Sequence, residues 1–325
     1  MKKCLILLSL LLCFIVDSVV IKSETAPEIL ENEVCTNQDE SKILVMDLNQ
    51  DFKSNGFVYK EDSEYLYIIT TSDVYHNTKS FDVLFYNGDI QKADVIGYDS
   101  YNQIMVLKTE KNENVSPVCF ANTDHIYKGQ LVYSYGYYGE YNSFILKGII
   151  NQIGYKFSKE GYKNIFRDIV QINYDSNIKG SGVFDEIGRL IGMITGFDQK
   201  LEGSSFMVET NKIIKVADSI IKCGKYSLNY IEYSLEDYSS LKTELKESYE
   251  INDAVNDGVV VTTFRPLKYV FGGLNQGMVI VAVNGVAINN LYELDKQLTR
   301  YEKDDNVCLK VIKKNGKTGF YYVKI

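Results

Sequence analysis

"NIKGSGVFDEIGRLIGMITG", residues 177–196, sets one serine, Ser181, between two glycines directly ahead of an apolar run. Two readings stand for it on this stretch alone. Serine beside glycine is common at the centre of a turn, and the same hydroxyl is a candidate nucleophile. The rest of the chain decides between them.

Outward from this stretch, the sequence is built of short β-branched, aromatic and aliphatic runs recurring about every ten positions, with Gly, Asn and Asp between them. From residue 43 these include "ILVMDL", "GFVYK", "YLYIIT", "FDVLFYNGD", "QIMVLK", "QLVYSYG", "FILKGIINQIG" and "DIVQINY". The pattern is that of an all-β barrel or sandwich, and "YNGD" supplies a hairpin signal. The series closes on "FMVETNKIIKVADSIIKC", where Ile213, Ile214, Ala217, Ile220 and Ile221 recur at helical spacing and predict a helix over 211–222.

Beyond about residue 226 the grammar changes. "GVVVTTF" (258–264) reads as a strand, and "GMVIVAVNGVAI" (277–288) as a hairpin pivoting on Asn284-Gly285. "NNLYELDKQLTRYEK" reads as an amphipathic helix, with Leu291, Leu294 and Leu298 on its buried face and Asn290 with Glu293 at capping-box spacing. Two further strands meet at Asn315-Gly316. A compact α+β unit follows from these segments.

The chain has 325 residues, enough for two ordinary domains, and its apolar fraction is that of a folded protein. Behind a short basic start, "CLILLSLLLCFIV" gives about 13 apolar residues, the length of a secretory signal core and short of the roughly 20 a membrane span needs. No small-x-small cleavage site follows cleanly, so residues 1–23 read as a signal peptide or a signal anchor. Either reading exports the protein, and membrane contact is expected only through this segment. Residues 24–42, polar and acidic, read as a linker.

Net charge is −8, without a clustered Lys/Arg stripe, which argues against nucleic acid as a partner. Past the signal, Cys35, Cys119, Cys223 and Cys308 lack any C-x-x-C or His-adjacent spacing, so neither metal nor cofactor is expected. Four cysteines allow three disulfide pairings, and free thiols are an equal reading. Tyrosine is abundant, with 26 residues and no tryptophan. Tyr135, Tyr137 and Tyr138 read either as an aromatic contact surface or as ordinary barrel surface.

In order along the chain, these blocks resemble the HtrA (DegP-like) family, a chymotrypsin-like double β-barrel followed by a PDZ domain. "YLYIITTSDVY" stands where the family reads roughly Y-I-L-T-N-N-H-V-V, and "GYDSYNQIMVLK" where it reads G-x-D-x-x-x-D-L-A-V-L-K. "KGQLVYSYGYYG" follows V-G-x-x-V-x-A-I-G-x-P-x-G, and the opening stretch follows N-x-G-N-S-G-G-P-L. "GVVVTTF…GGLNQGMVIVAVNGVAINNLYELDKQL" follows the second domain's G-V-x-V…A-G-L-x-x-G-D-x-I-x-x-V-N-G. The resemblance implies a protease-like unit over 43–222 and a PDZ-like unit over 226–325.

It also implies roles. Ser181 falls on the nucleophile position, but the base position holds Asp73 and the orienting position Gln103. A serine hydroxyl needs a neighbouring base, and histidine suits that role because its pKa lies near the operating pH. Aspartate, with an ordinary pKa near 4, accepts such a proton poorly, and glutamine brings no charge to orient and stabilise an imidazolium. His76 is a substitute base if 73–77 turns helically, and His125 falls in a surface turn. The oxyanion donors would be the amides of Lys179 and Ser181, with Lys179 replacing a glycine. The PDZ carboxylate loop maps onto Leu228, Asn229, Tyr230 and Ile231, with tyrosine in a glycine place. Expected partners are unfolded polypeptides or protein C-terminal tails.

The resulting expectation is a mainly β, exported protein that binds polypeptides with a degenerate triad. The alternatives are an active endopeptidase using Ser181 with His76, and an envelope scaffold docking neighbours through its PDZ-like unit. The family often forms trimers, although no residue here requires it.

Overall fold

In the computed structural model the described residues are 41–46, 51–138, 142–159, 162–172, 178–196, 203–226, 234–263, 274–302 and 305–324. They all belong to one compact unit, Cys35–Ile325. Among them no helix is long and apolar enough to cross a membrane. The N-terminal segment 1–23 and the loop Leu228–Ile231 lie outside the described residues.

Six strands close the first barrel: β1 (Lys42–Met46), β2 (Phe52–Glu61), β3 (Tyr65–Thr71), β4 (Ser80–Phe85), β5 (Ile90–Asp99) and β6 (Ile104–Glu110), in the order β1-β2-β3-β6-β5-β4. The expected Asn87-Gly88 turn joins β4 to β5, and Ser80 to Leu84 pair antiparallel with Asp94 to Ile90. A second barrel runs β10-β11-β12-β9-β8-β7, formed by β7 (Leu131–Tyr138), β8 (Asn142–Lys159), β9 (Tyr162–Gln171), β10 (Gly182–Phe184), β11 (Leu190–Gly196) and β12 (Ser205–Glu209). The chymotrypsin-like double barrel expected from the sequence is therefore present.

Period-two alternation explains how the barrels join. In β3 and β6, Leu66, Ile68, Met105 and Leu107 fill the first barrel's interior, while Ile69, Ile104 and Val106 point the opposite way. In β10, Val183 fills the second barrel and its neighbour Phe184 faces out of it. These outward residues form a shared seam, closed by α1 (Thr210–Cys223) through Ile213, Val216, Ala217 and Ile220. Burying each of the Ile, Val and Phe side chains among them stabilises the fold by roughly 1.5–3 kcal/mol. Gly224 ends α1 in the left-handed conformation and donates its amide to the Ile220 carbonyl, 2.7 Å.

The third sheet, with order β13-β14-β15-β17-β18, comprises β13 (Ser234–Asp237), β14 (Val259–Thr263), β15 (Val279–Val283), β17 (Asn306–Ile312) and β18 (Thr318–Lys324). The short β16 (Val286–Ala287) pairs with β15 beyond Asn284-Gly285. A short helix, α2 (Thr243–Ser248), precedes β14. Helix α3 (Leu291–Leu298) buries Leu291, Leu294 and Leu298 as its spacing predicts. Asn290 caps it by accepting from the Glu293 amide, 2.9 Å, and Glu293 reaches back to the Asn289 amide, 2.8 Å, one residue earlier than a standard capping box.

Cys119 is disulfide-bonded, while Cys223 and Cys308 are free thiols. Of the three tyrosines, Tyr137 is buried, whereas Tyr135 and Tyr138 rest on Phe184 and Phe144 with ring centroids 5.4 and 4.5 Å apart.

Candidate active site

The loop around Ser181 is held from the first barrel. The amide of Asn55, in β2, donates to the Lys179 carbonyl at 2.8 Å. Gly180, at φ +82°, packs so closely that a Cβ there would lie 2.0 Å from the Asn55 carbonyl oxygen. Only glycine fits both demands. Asn55 itself is fully buried and clamps the second barrel. Its side-chain amide donates to the Tyr137 carbonyl at 3.1 Å, and its side-chain oxygen accepts from the Tyr137 amide at 2.6 Å. Thr70 donates to the Asn55 carbonyl, 2.6 Å, so the hydroxyl contact between Ser54 and Thr70, 2.7 Å, has Ser54 as donor.

Ser181 is fully buried. Its hydroxyl donates to the Ile178 carbonyl, and its backbone amide donates to the same oxygen at 3.2 Å. Both groups expected to act on a substrate are thus spent within the loop. The Gly180 amide is also engaged, on the Ile194 carbonyl at 2.8 Å.

The residues at the expected base and orienting positions do meet. Gln103, at φ +58°, donates its side-chain amide to both Asp73 carboxylate oxygens, at 3.0 and 3.2 Å. The Asp99 carboxylate builds the turn that aims Gln103, accepting from the Tyr101 and Asn102 amides at 3.3 and 3.0 Å. Asp73 sits in a one-turn helix, Ser72–Val74, and receives the Lys179 ammonium at 2.9 Å. Lys179, expected only as a backbone donor, therefore completes a Lys–Asp–Gln cluster beside the serine loop.

The helical turn ends at Val74, and Tyr75 is extended, so 73–77 is not one continuous helical turn; His76 is exposed. His125 ends a separate one-turn helix, Thr123–His125, and is also exposed. These are the chain's two histidines.

Two closed six-stranded barrels meet at the serine loop, and residues 54–193 match the Trypsin-like peptidase domain family. The relatives this chain is similar to are HtrA-type serine proteases. It is 23% identical over 287 residues to the "Serine protease Do-like HtrA" of Lactococcus lactis subsp. cremoris (strain MG1363), covering 84% of this chain and 70% of that one. To the "Serine protease HtrA-like" of Staphylococcus haemolyticus (strain JCSC1435) it is 22% identical over 309 residues, 91% of this chain and about half, 48%, of the relative. Among solved structures, "HtrA-type protease AlgW with decapeptide" superposes with a TM-score of 0.64 at 20% identity, covering 84% of this chain and 82% of the other.

Proposed function

We propose that this chain is a catalytically degenerate HtrA-like protein that binds polypeptides without cutting them efficiently. The observation that carries this reading is the Lys179–Asp73–Gln103 cluster occupying the expected base and orienting positions. A carboxylate already paired with an ammonium is a poorer proton acceptor than a free one. Loss of one member of a serine triad costs about 10⁴-fold in rate where this has been measured, and two positions differ here. The buried Ser181 hydroxyl, donated to a carbonyl, supports the same conclusion.

Polypeptide binding is supported by the HtrA-type neighbour's structure with a decapeptide. In this reading residues 43–222 are the protease-like unit and 226–325 a PDZ-like unit that takes a partner's tail by strand addition. The N-terminal segment directs the protein to an extracytoplasmic site.

Two measurements on the full chain test the proposal. Casein hydrolysis should be no faster than that of the Ser181→Ala variant. A fluorescent unfolded polypeptide should bind both proteins with equal affinity. Hydrolysis abolished by Ser181→Ala refutes degeneracy, and the absence of saturable binding refutes the binding role.

A further inference from the structure

Helix α1 and the Thr123–His125 turn meet helix α3 and the residues after it largely through charged side chains. Lys212 donates to Asp295 at 2.9 Å and to the Thr299 hydroxyl at 2.7 Å. Lys215 donates to the carbonyls of Thr299, 2.6 Å, and Tyr301. Asp124 receives Lys296 and Arg300 at 3.4 and 3.2 Å. Phe166 of β9 stacks obliquely on Tyr292 of α3, centroids 5.7 Å apart. Tyr292 also lies over Gly154, where a Cβ would be 2.6 Å from the ring.

Between these contacts lies a half-open cavity of ≈ 20 Å³ lined by Arg167, Asp168, Glu209, Lys212, Tyr292 and Asp295, among others. That volume is about the size that holds one water. Asp168 is 3% exposed. Its Oδ1 accepts from the Gly154 amide at 2.9 Å, but its Oδ2 and the Tyr292 hydroxyl are buried with no hydrogen-bond partner. Arg167 beside it gives its guanidinium to the carbonyls of Phe166 and Tyr101, at 2.7 and 2.8 Å, not to the carboxyl.

We propose that Asp168 is a proton-operated latch between the barrel pair and the third sheet, closing the contact when protonated and loosening it when ionised. A buried carboxylate with one oxygen unsatisfied is costly, and a second carboxylate, Glu209, faces the same space. Protonation removes the charge and makes Oδ2 a donor that a water in the cavity, or the Tyr292 oxygen through it, can take up. Opening the contact instead lets water solvate the anion.

The surrounding groups fix the direction. Burial first, then Glu209, raise the Asp168 pKa, against the Gly154 amide, Lys296 and Arg167, and the balance pushes it up to about 7. Burial also raises Glu209, opposed mainly by Lys296 and Lys212. Tyr292 is raised by burial and by Asp168, and stays protonated. A carboxyl raised in the closed form binds its proton more tightly there. Closure is therefore firm in mild acid and weakens as pH rises towards about 7.

Hydrogen exchange of the α3 amides in the full chain tests this, with intrinsic rates corrected between pH 5.5 and 8.0. Protection in the wild type should fall about thirtyfold at the higher pH, and Asp168→Asn should abolish the difference. Unchanged wild-type protection, or a pH response retained by Asp168→Asn, overturns the proposal. Should that variant fail to fold, Glu209→Gln is the second probe. Removing its charge should move the transition to lower pH, and an unmoved transition overturns the latch.

Discussion

The Lys179 ammonium stands 2.9 Å from the Asp73 carboxylate, although the two residues are 106 positions apart. This pair ties the serine loop to the first barrel, at the residue that the proposed function assigns to the base position. In the proposed function, the pair matters because it occupies the carboxylate that would otherwise be a free proton acceptor.

Restoring a histidine alone should therefore not restore cleavage. In Asp73→His, Lys179 would face the imidazole as a cation and disfavour its protonated form, and Gln103 would bring no charge to stabilise it. Casein hydrolysis by this variant should remain at the Ser181→Ala background. The combination Asp73→His, Gln103→Asp and Lys179→Gly should rise above that background, because it rebuilds base, orienting charge and a small residue at the oxyanion position.

The ion pair itself should matter little to stability. Its side chains are 31% and 26% exposed, so solvent screens much of the attraction. A double-mutant cycle with Lys179→Met and Asp73→Asn, read by urea unfolding, should return a coupling of about 1 kcal/mol or less.

Asn55 should matter far more. Asn55→Ala leaves the Tyr137 amide and carbonyl without their buried partner, and each orphaned group costs about 1–3 kcal/mol. Thermal unfolding should show a loss of roughly 2–4 kcal/mol on the same scale. Gly180→Ala should also destabilise, by at least about 1 kcal/mol, through its positive φ and its collision with the Asn55 carbonyl.

Global stability should depend on pH through Asp168. Its folded pKa of about 7 exceeds the ordinary 3.8, so the folded state holds the proton over that interval and the unfolded state does not. Stability should fall by up to about 3 kcal/mol between pH 5 and pH 7 and then level off. Denaturant midpoints across pH 5–8 check this, and Asp168→Asn should flatten the curve.

Local signals made most of the fold readable. Asn-Gly pairs at 87–88, 284–285 and 315–316 marked turns, and the spacing of Ile213, Ala217 and Ile220 marked the helix that closes the seam. Asp73 and Gln103, each named from a block with its own recognisable pattern, turn out to be in contact. Lys179 as a charge partner was not legible, since a side chain's reach across 106 positions leaves no periodicity. Nor was the Asp168 cavity, because "DIVQINY" reads as an apolar strand whichever way its aspartate points. Asn55 was visible as a residue, and its role emerged only once two strands of different barrels met across it.

The seam at Asn55 also bears on how such a chain diverges. The serine loop takes its shape from Asn55, Thr70 and Gly180, and none of these would handle a proton in catalysis. Architecture and reactivity rest on separate residues. On the proposed function, change at 73 and 103 would therefore leave the loop's form intact, free to be selected for holding chains instead of severing them.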